Sequence, residues 1–232
     1  MSSSGGRTLA ARFAFRLDAM GQTLPTLGAV SKLRNKRTNL EKVICQFRVI
    51  LVGESGVGKT SIVHRLTEGT FKEELQKTIG VDYYIHMLET PAIYRVKLQV
   101  WDTAGEKELG TITQSHLQIM LGGLLVFDIT NRHSLDYIRS WLDECGDVFD
   151  QGQCVFLLVG HKCDLSAERT VPKEEAEQVA ADLGMGYIET SAKDGTNIQG
   201  AFHTLASSIA ELVKSEVDAG ISETQRLVLL NR

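Results

Sequence analysis

The chain has 232 residues, 43% of them hydrophobic and 23% charged, with a net charge of −4. That length allows one good-sized domain with some excess, and no apolar run approaches the ~20 residues of a membrane span. Charge is uneven: residues 1–44 hold eight basic and two acidic side chains, whereas residues 45–232 hold 17 basic against 27 acidic, or −10. An acidic body argues against a nucleic-acid binder, and the basic arm is too loosely spaced to reverse that. Four cysteines (Cys45, Cys145, Cys154, Cys163) lie scattered without metal-ligand spacing, so reduced, buried thiols in a cytosolic protein are expected.

Residues 1–44 stand apart from the rest. Ser2-Ser3-Ser4-Gly5-Gly6 opens a weakly structured stretch, and Gly21, Pro25 and Gly28 interrupt the remainder of the arm. Arg7 to Met20 alternates Leu, Ala and Phe with Arg7, Arg12 and Arg16, a composition like that of a mitochondrial transit peptide. A disordered basic arm is the favoured reading, because short Arg- and Ser-rich stretches are common.

The apolar run Val49–Val52 predicts a short buried strand, and Ser61–Leu66 predicts the start of a helix. Between them Gly53-Glu54-Ser55-Gly56-Val57-Gly58-Lys59-Thr60 fits G-x-x-x-x-G-K-[ST]. In that setting glycines let successive N–H groups of residues 55–61 (Ser55, Gly56, Val57, Gly58, Lys59, Thr60 and Ser61) turn toward a polyphosphate. Lys59 adds a full positive charge, and the Thr60 hydroxyl is a candidate Mg²⁺ ligand.

Tyr83–Leu88 and Ile93–Trp101 predict an antiparallel hairpin about Thr90-Pro91-Ala92, near a sheet edge because Val96, Leu98 and Val100 alternate with Lys97 and Gln99. Leu124–Phe127 and Val155–Val159 predict strands covered on both faces. Leu135, Ile138, Leu142 and Cys145 recur at helical spacing, Pro172 opens another helix, and Ile198, Phe202, Leu205, Ile209 and Leu212 mark a terminal one. The alternation predicts an α/β, mostly parallel, doubly wound sheet of about six strands with about five helices, its ligand at the carboxyl ends of the strands. The expected domain spans 45–214, with a short tail at 215–232.

Further motifs decide which nucleotide. Gly160-His161-Lys162-Cys163-Asp164 and Glu189-Thr190-Ser191-Ala192-Lys193 each follow a predicted strand. They resemble the guanine-reading N-K-x-D and S-A-K motifs of the Ras superfamily, and Trp101-Asp102-Thr103-Ala104-Gly105 matches its D-T-A-G. With Ile79-Gly80-Val81-Asp82 and Phe127-Asp128-Ile129-Thr130, the resemblance over about Gln46 to Lys214 is greatest to the Rab branch. The His in His161-Lys162-Cys163-Asp164 is similar to a small subgroup of vesicle-trafficking members.

The resemblance implies a small-GTPase (P-loop NTPase) fold with one antiparallel edge strand, GTP/GDP and Mg²⁺ as ligands, and slow hydrolysis to GDP and phosphate. Asp164 is then expected to accept two hydrogen bonds from guanine, Lys162 to pack along the base, the Ala192 N–H of Ser191-Ala192-Lys193 to meet the guanine oxygen, and Phe71 to cover the base. Thr60 and Thr78 are the expected Mg²⁺ ligands, with Asp102 holding a metal-bound water. The Thr78 and Gly105 N–H groups are expected on the γ-phosphate. Loops at about 71–83 and 104–119 are expected to switch, meeting effectors, an exchange factor and a GTPase-activating protein. A monomer is expected, cytoplasmic or peripheral on endomembranes.

Several residues depart from that pattern. His161 replaces an Asn that tethers the phosphate loop, and imidazole is able to substitute in part. Glu106 stands where the family has the Gln that orients the attacking water, so the expected catalytic set is Glu106, Lys59 and Thr78. A carboxylate only accepts hydrogen bonds and adds negative charge beside phosphate, which lowers the expected turnover; it is also a better base, which works the other way. A hydrolysis-impaired, GTP-held binding module is therefore the alternative function. Lys107-Glu108-Leu109-Gly110 and His116-Leu117 replace a more aromatic stretch, so the effector triad reads Tyr83, Trp101 and His116. The chain stops at Leu229-Leu230-Asn231-Arg232, and its last cysteine is Cys163, so a terminal prenyl anchor is not expected.

Overall fold

The computed structural model describes residues 44–89, 95–105, 120–145 and 154–218. The basic arm, the predicted turn at Thr90-Pro91-Ala92, Glu106, His116 and most of the 104–119 loop therefore lie outside the described residues, as does the end of the 215–232 tail.

Six strands form one sheet in the order β2-β3-β1-β4-β5-β6. They are β1 (Ile44–Val52), β2 (Val81–Leu88), β3 (Arg95–Thr103), β4 (Gly122–Asp128), β5 (Val155–His161) and β6 (Gly186–Thr190). β2 runs antiparallel to β3 at the edge, with Tyr83 opposite Trp101, and every other pairing is parallel. Four α-helices accompany them among the described residues: α1 (Lys59–Glu68), α2 (Arg132–Cys145), α3 (Lys173–Asp182) and α4 (Ile198–Asp218), with a short 3-10 helix at Cys163–Glu168. The terminal helix runs on to Asp218, past residue 214, where the sequence reading places the end of the domain.

The period-2 geometry of the strands explains why the central ones read as unbroken apolar runs. Val49 and Leu51 of β1, with Leu124 and Val126 of β4, point into a core shared with α1 and α4. Their neighbours Ile50, Val52, Leu125 and Phe127 point into a second core shared with α2 and α3. β3 alternates instead: Val96, Leu98 and Val100 are fully buried, while Lys97 and Gln99 face the other way. β2 carries Tyr83, Ile85 and Met87 on an exposed face, so the hairpin is apolar inward and partly apolar outward. Cys45 is buried and burial pushes its thiol up to about 11. Cys154 and Cys163 are only half-buried, less enclosed than the sequence reading expects.

Among the described residues, no helix is long and apolar enough to cross a membrane. The carboxyl ends of the parallel strands all lie on one edge of the sheet, and the chain leaves that edge through five turns. Those turns build the site.

Candidate nucleotide site

The turn after β1 winds from Gly53 to Gly58 and opens directly into α1. Gly58 is the residue before the helix, at φ 101°, a conformation that disfavours any side chain. A Cβ there would also come within 2.6 Å of the His161 ring. Val57 is buried in the core, so it offers the site its backbone and not its side chain.

Lys59, 5% exposed, folds back over this turn. Its Nζ donates to the Gly53 carbonyl at 2.7 Å and the Glu54 carbonyl at 3.1 Å. Burial pulls the ammonium down to about 8, against the opposing fields of Asp102 and Glu54. Asp102, at the end of β3, is fully buried, and burial raises its carboxyl above the usual range despite a hydrogen bond from Thr60 and the Lys59 charge. Both groups are thus driven toward neutrality by their surroundings, and an anion beside Lys59 with a cation beside Asp102 would reverse both directions.

Three oxygens converge next to Lys59. The Thr60 hydroxyl donates to Asp102 Oδ2 at 2.6 Å, the Thr60 and Thr78 hydroxyls lie 2.9 Å apart, and Thr78 reaches the same carboxylate oxygen at 3.5 Å. Asp102 Oδ1 is buried with no hydrogen-bond partner among the described residues. An all-oxygen set containing one orphaned carboxylate oxygen fits a hard divalent cation such as Mg²⁺, which keeps waters and takes further ligands from phosphate. Gly105 lies against this end of the site: a Cβ there would collide with the Ser55 amide at 2.2 Å, so the turn after β3 rests directly on the phosphate loop.

The far wall comes from β5 and β6. A cavity of about 350 Å³ is lined by Gly56, Gly58 and Ser61 on one side and by Phe71, Lys162, Asp164 and Ala192, among others, on the other. Ser191 is buried, and its hydroxyl donates to Asp164 Oδ1 at 2.6 Å, which fixes the carboxylate at the cavity. Phe71 stands at the mouth, 37% exposed. His161 is buried and neutral: burial first, then the Lys162 charge, pulls it down to about 4. Its Nδ1 pairs with the Thr190 hydroxyl at 2.8 Å.

Several contacts that shape the site carry no signal of their own in the sequence. The Lys162 ammonium donates to the Gly56 carbonyl at 2.9 Å and pairs with Asp128 Oδ2 at 2.7 Å. The hydrogen-bonded tether between the far wall and the phosphate loop therefore runs through Lys162, while His161 contributes packing on Gly58. Asp128 is held below the usual carboxylate range: burial works upward, but hydrogen bonds from Lys162 and Thr130 outweigh it. Arg65 of α1 reaches the Ala192 and Lys193 carbonyls, and Thr190 pairs with His161. These partners are set by strand order, which brings residues about a hundred positions apart to one edge.

Comparison with known proteins agrees with this geometry. Residues 48–211 match the Ras family. The chain is 48% identical to human Ras-related protein Rab-39A over 175 residues, 74% of this chain and 81% of that one. It is 46% identical to mouse Ras-related protein Rab-42, over 73% of this chain and 80% of the relative. Bovine Ras-related protein Rab-8A is 40% identical over 70% of this chain and 78% of its own length.

Proposed function

The chain belongs to the Rab branch of the Ras family of small GTPases, and on that premise we propose that it is a guanine-nucleotide switch in membrane trafficking. The observation that carries the nucleotide assignment is Asp164, fixed by Ser191 on the wall of a cavity whose opposite wall is the phosphate loop. A carboxylate held there pairs with the ring N–H and exocyclic amine of guanine. Adenine lacks that donor pair and would leave the carboxylate desolvated, so discrimination is strong.

Each remaining residue takes a role consistent with its position. Residues 55–61 and Lys59 receive the phosphates, Lys162 and Phe71 flank the base, and the Ala192 N–H meets the guanine oxygen. Thr60, Thr78 and Asp102 would hold Mg²⁺, which when bound supplies positive charge to the phosphates. Gly105 and Thr78 bracket the position of the γ-phosphate, so its loss removes contacts from the segments that continue into 71–83 and 104–119. Tyr83 and Trp101, edge to face with ring centroids 6.2 Å apart, present an aromatic pair to an effector. Exchange factors and GTPase-activating proteins are the partners that such a switch requires.

In-line attack of water on the γ-phosphate yields GDP and phosphate. Glu106, in place of an amide, favours slow turnover and supports the second reading, a GTP-held binding module. Competition binding tests the assignment: GDP and GTP should displace a labelled guanine nucleotide far better than ADP or ATP. Asp164→Asn should transfer the preference to xanthine nucleotides. Equal competition by ATP would reject the assignment.

A further inference from the structure

We propose that Arg65 is a positioning residue for base selectivity, acting on guanine through the loop that follows β6. This inference rests on the guanine reading above. Arg65 lies in the last turn of α1, where a basic side chain ordinarily does no more than answer the helix's own end. One of its three bonds is of that kind, from Nη1 to the Gly69 carbonyl at 2.7 Å. The other two leave the helix altogether. Nε donates to the Ala192 carbonyl at 2.7 Å, and Nη2 donates to the Lys193 carbonyl at 2.5 Å.

Both carbonyls follow directly on the Ser191–Ala192 peptide, whose N–H is the one assigned to the base oxygen. Around it, the Ser191 N–H donates to the Thr196 carbonyl, and the Lys193 and Asp194 N–H groups donate to the Ser191 hydroxyl. The Ala192 N–H takes no acceptor among the described residues, and Ala192 lines the cavity. The guanidinium therefore grips two carbonyls of a turn whose Ala192 amide is left open beside the cavity. Its planar fork suits two carbonyls at once, which a lysine ammonium on a flexible stem does not reproduce. The third bond ties the same side chain to Gly69, where α1 ends and the segment carrying Phe71 begins. Arg65 thereby joins the amide that reads the base oxygen to the root of the segment that covers the base.

The test uses full-length protein loaded with three diphosphates: GDP, 6-thioguanosine diphosphate, which weakens the acceptor at the base oxygen position, and inosine diphosphate, which lacks only the exocyclic amine. In Arg65→Ala, GDP release should accelerate about tenfold, the equivalent of one charge-assisted hydrogen bond. Release of the thio analogue should accelerate less than about threefold, since it draws little from that amide. The ratio of GDP to inosine diphosphate should hold, because Asp164 still reads the amine. Arg65→Lys should fall between the two proteins and carries the test alone if the alanine variant does not fold. Equal acceleration of all three nucleotides, or no acceleration, overturns the proposal. If wild-type protein binds ADP as tightly as GDP, the guanine reading fails first and takes this inference with it.

Discussion

His161 turns the Cδ2–Nε2 edge of its ring to Gly58, so close that a methyl group on Gly58 would sit 2.6 Å from the imidazole Cδ2. A buried aromatic ring on β5 thus supports the backbone turn that opens α1, and the two walls of the cavity share a packed joint. Lys162, the next residue, adds the hydrogen bond to Gly56.

The joint should make stability sensitive to mild acid. The His161 folded-state pKa, about 4, lies below its ordinary 6.5, so the unfolded chain binds the proton first as pH falls. The contribution is therefore complete above pH 6.5 and is lost as pH drops toward 4, to a total of about 3 kcal/mol. Urea unfolding of wild type and His161→Asn across that window should diverge with the wild type falling more steeply. Parallel curves would disprove the neutral, buried imidazole.

Gly58→Ala should destabilise the protein by about 1–3 kcal/mol, combining a left-handed backbone with the collision against His161. Adding His161→Ser should recover only the steric share, because φ at residue 58 is unchanged. Chemical denaturation of the single and double variants separates the two contributions.

Much of this was legible in the chain. The phosphate loop announces itself because backbone turning needs glycine at fixed offsets, and Val49–Val52 and Leu124–Phe127 announce buried strands because both of their faces are covered. Arg65 was not legible as a site residue, and Asp128 and Thr190, though they stand in motifs that carry the resemblance, drew no role of their own. A polar residue in a helix looks the same whether it meets water or a loop 127 positions away. Likewise Lys162 reads as a base-flanking side chain, yet its ammonium is committed to Gly56 and Asp128. Local pattern reports which face is apolar; it does not report which distant carbonyl a cation will find.

Lys162→Met should leave the nearly buried Asp128 carboxylate without its cation. A loss of about 2 kcal/mol is expected, below the full value for a buried pair because Lys162 is partly exposed. Adding Asp128→Asn should restore part of it, and a double-mutant cycle should give a coupling of about 1–2 kcal/mol. Strictly additive losses would show that the two side chains do not support each other.

Chelation should accelerate release of a fluorescent GDP analogue from the wild type by about tenfold or more, as expected when a bound cation stabilises the nucleotide complex. In Thr60→Ala, which removes one of the three converging oxygens, the chelator effect should shrink to about threefold or less. An undiminished effect would place the cation elsewhere.

Glu106→Gln should raise single-turnover GTP hydrolysis by about tenfold, or ~1.4 kcal/mol of barrier. Restoring the amide supplies a donor toward the transferring phosphoryl group and removes a negative charge. Equal rates in the two proteins would show that the carboxylate positions water as well as the amide does.

The strand order has a consequence for how the protein is made. β1 sits between β3 and β4, and its pairing with β3 starts from Ile44 opposite Arg95. A chain emerging from the ribosome thus presents an apolar strand whose neighbours on both sides have yet to be synthesised. Val49 and Leu51 then share their core with Phe202 and Ile209 of α4, so one face stays open until the terminal helix arrives. Non-local closure of this kind is slow and leaves sticky surface in the meantime, which suits a chain that folds with chaperones in attendance. The strand that bears the phosphate loop is made before any of its partners, and the core it faces closes only with the terminal helix.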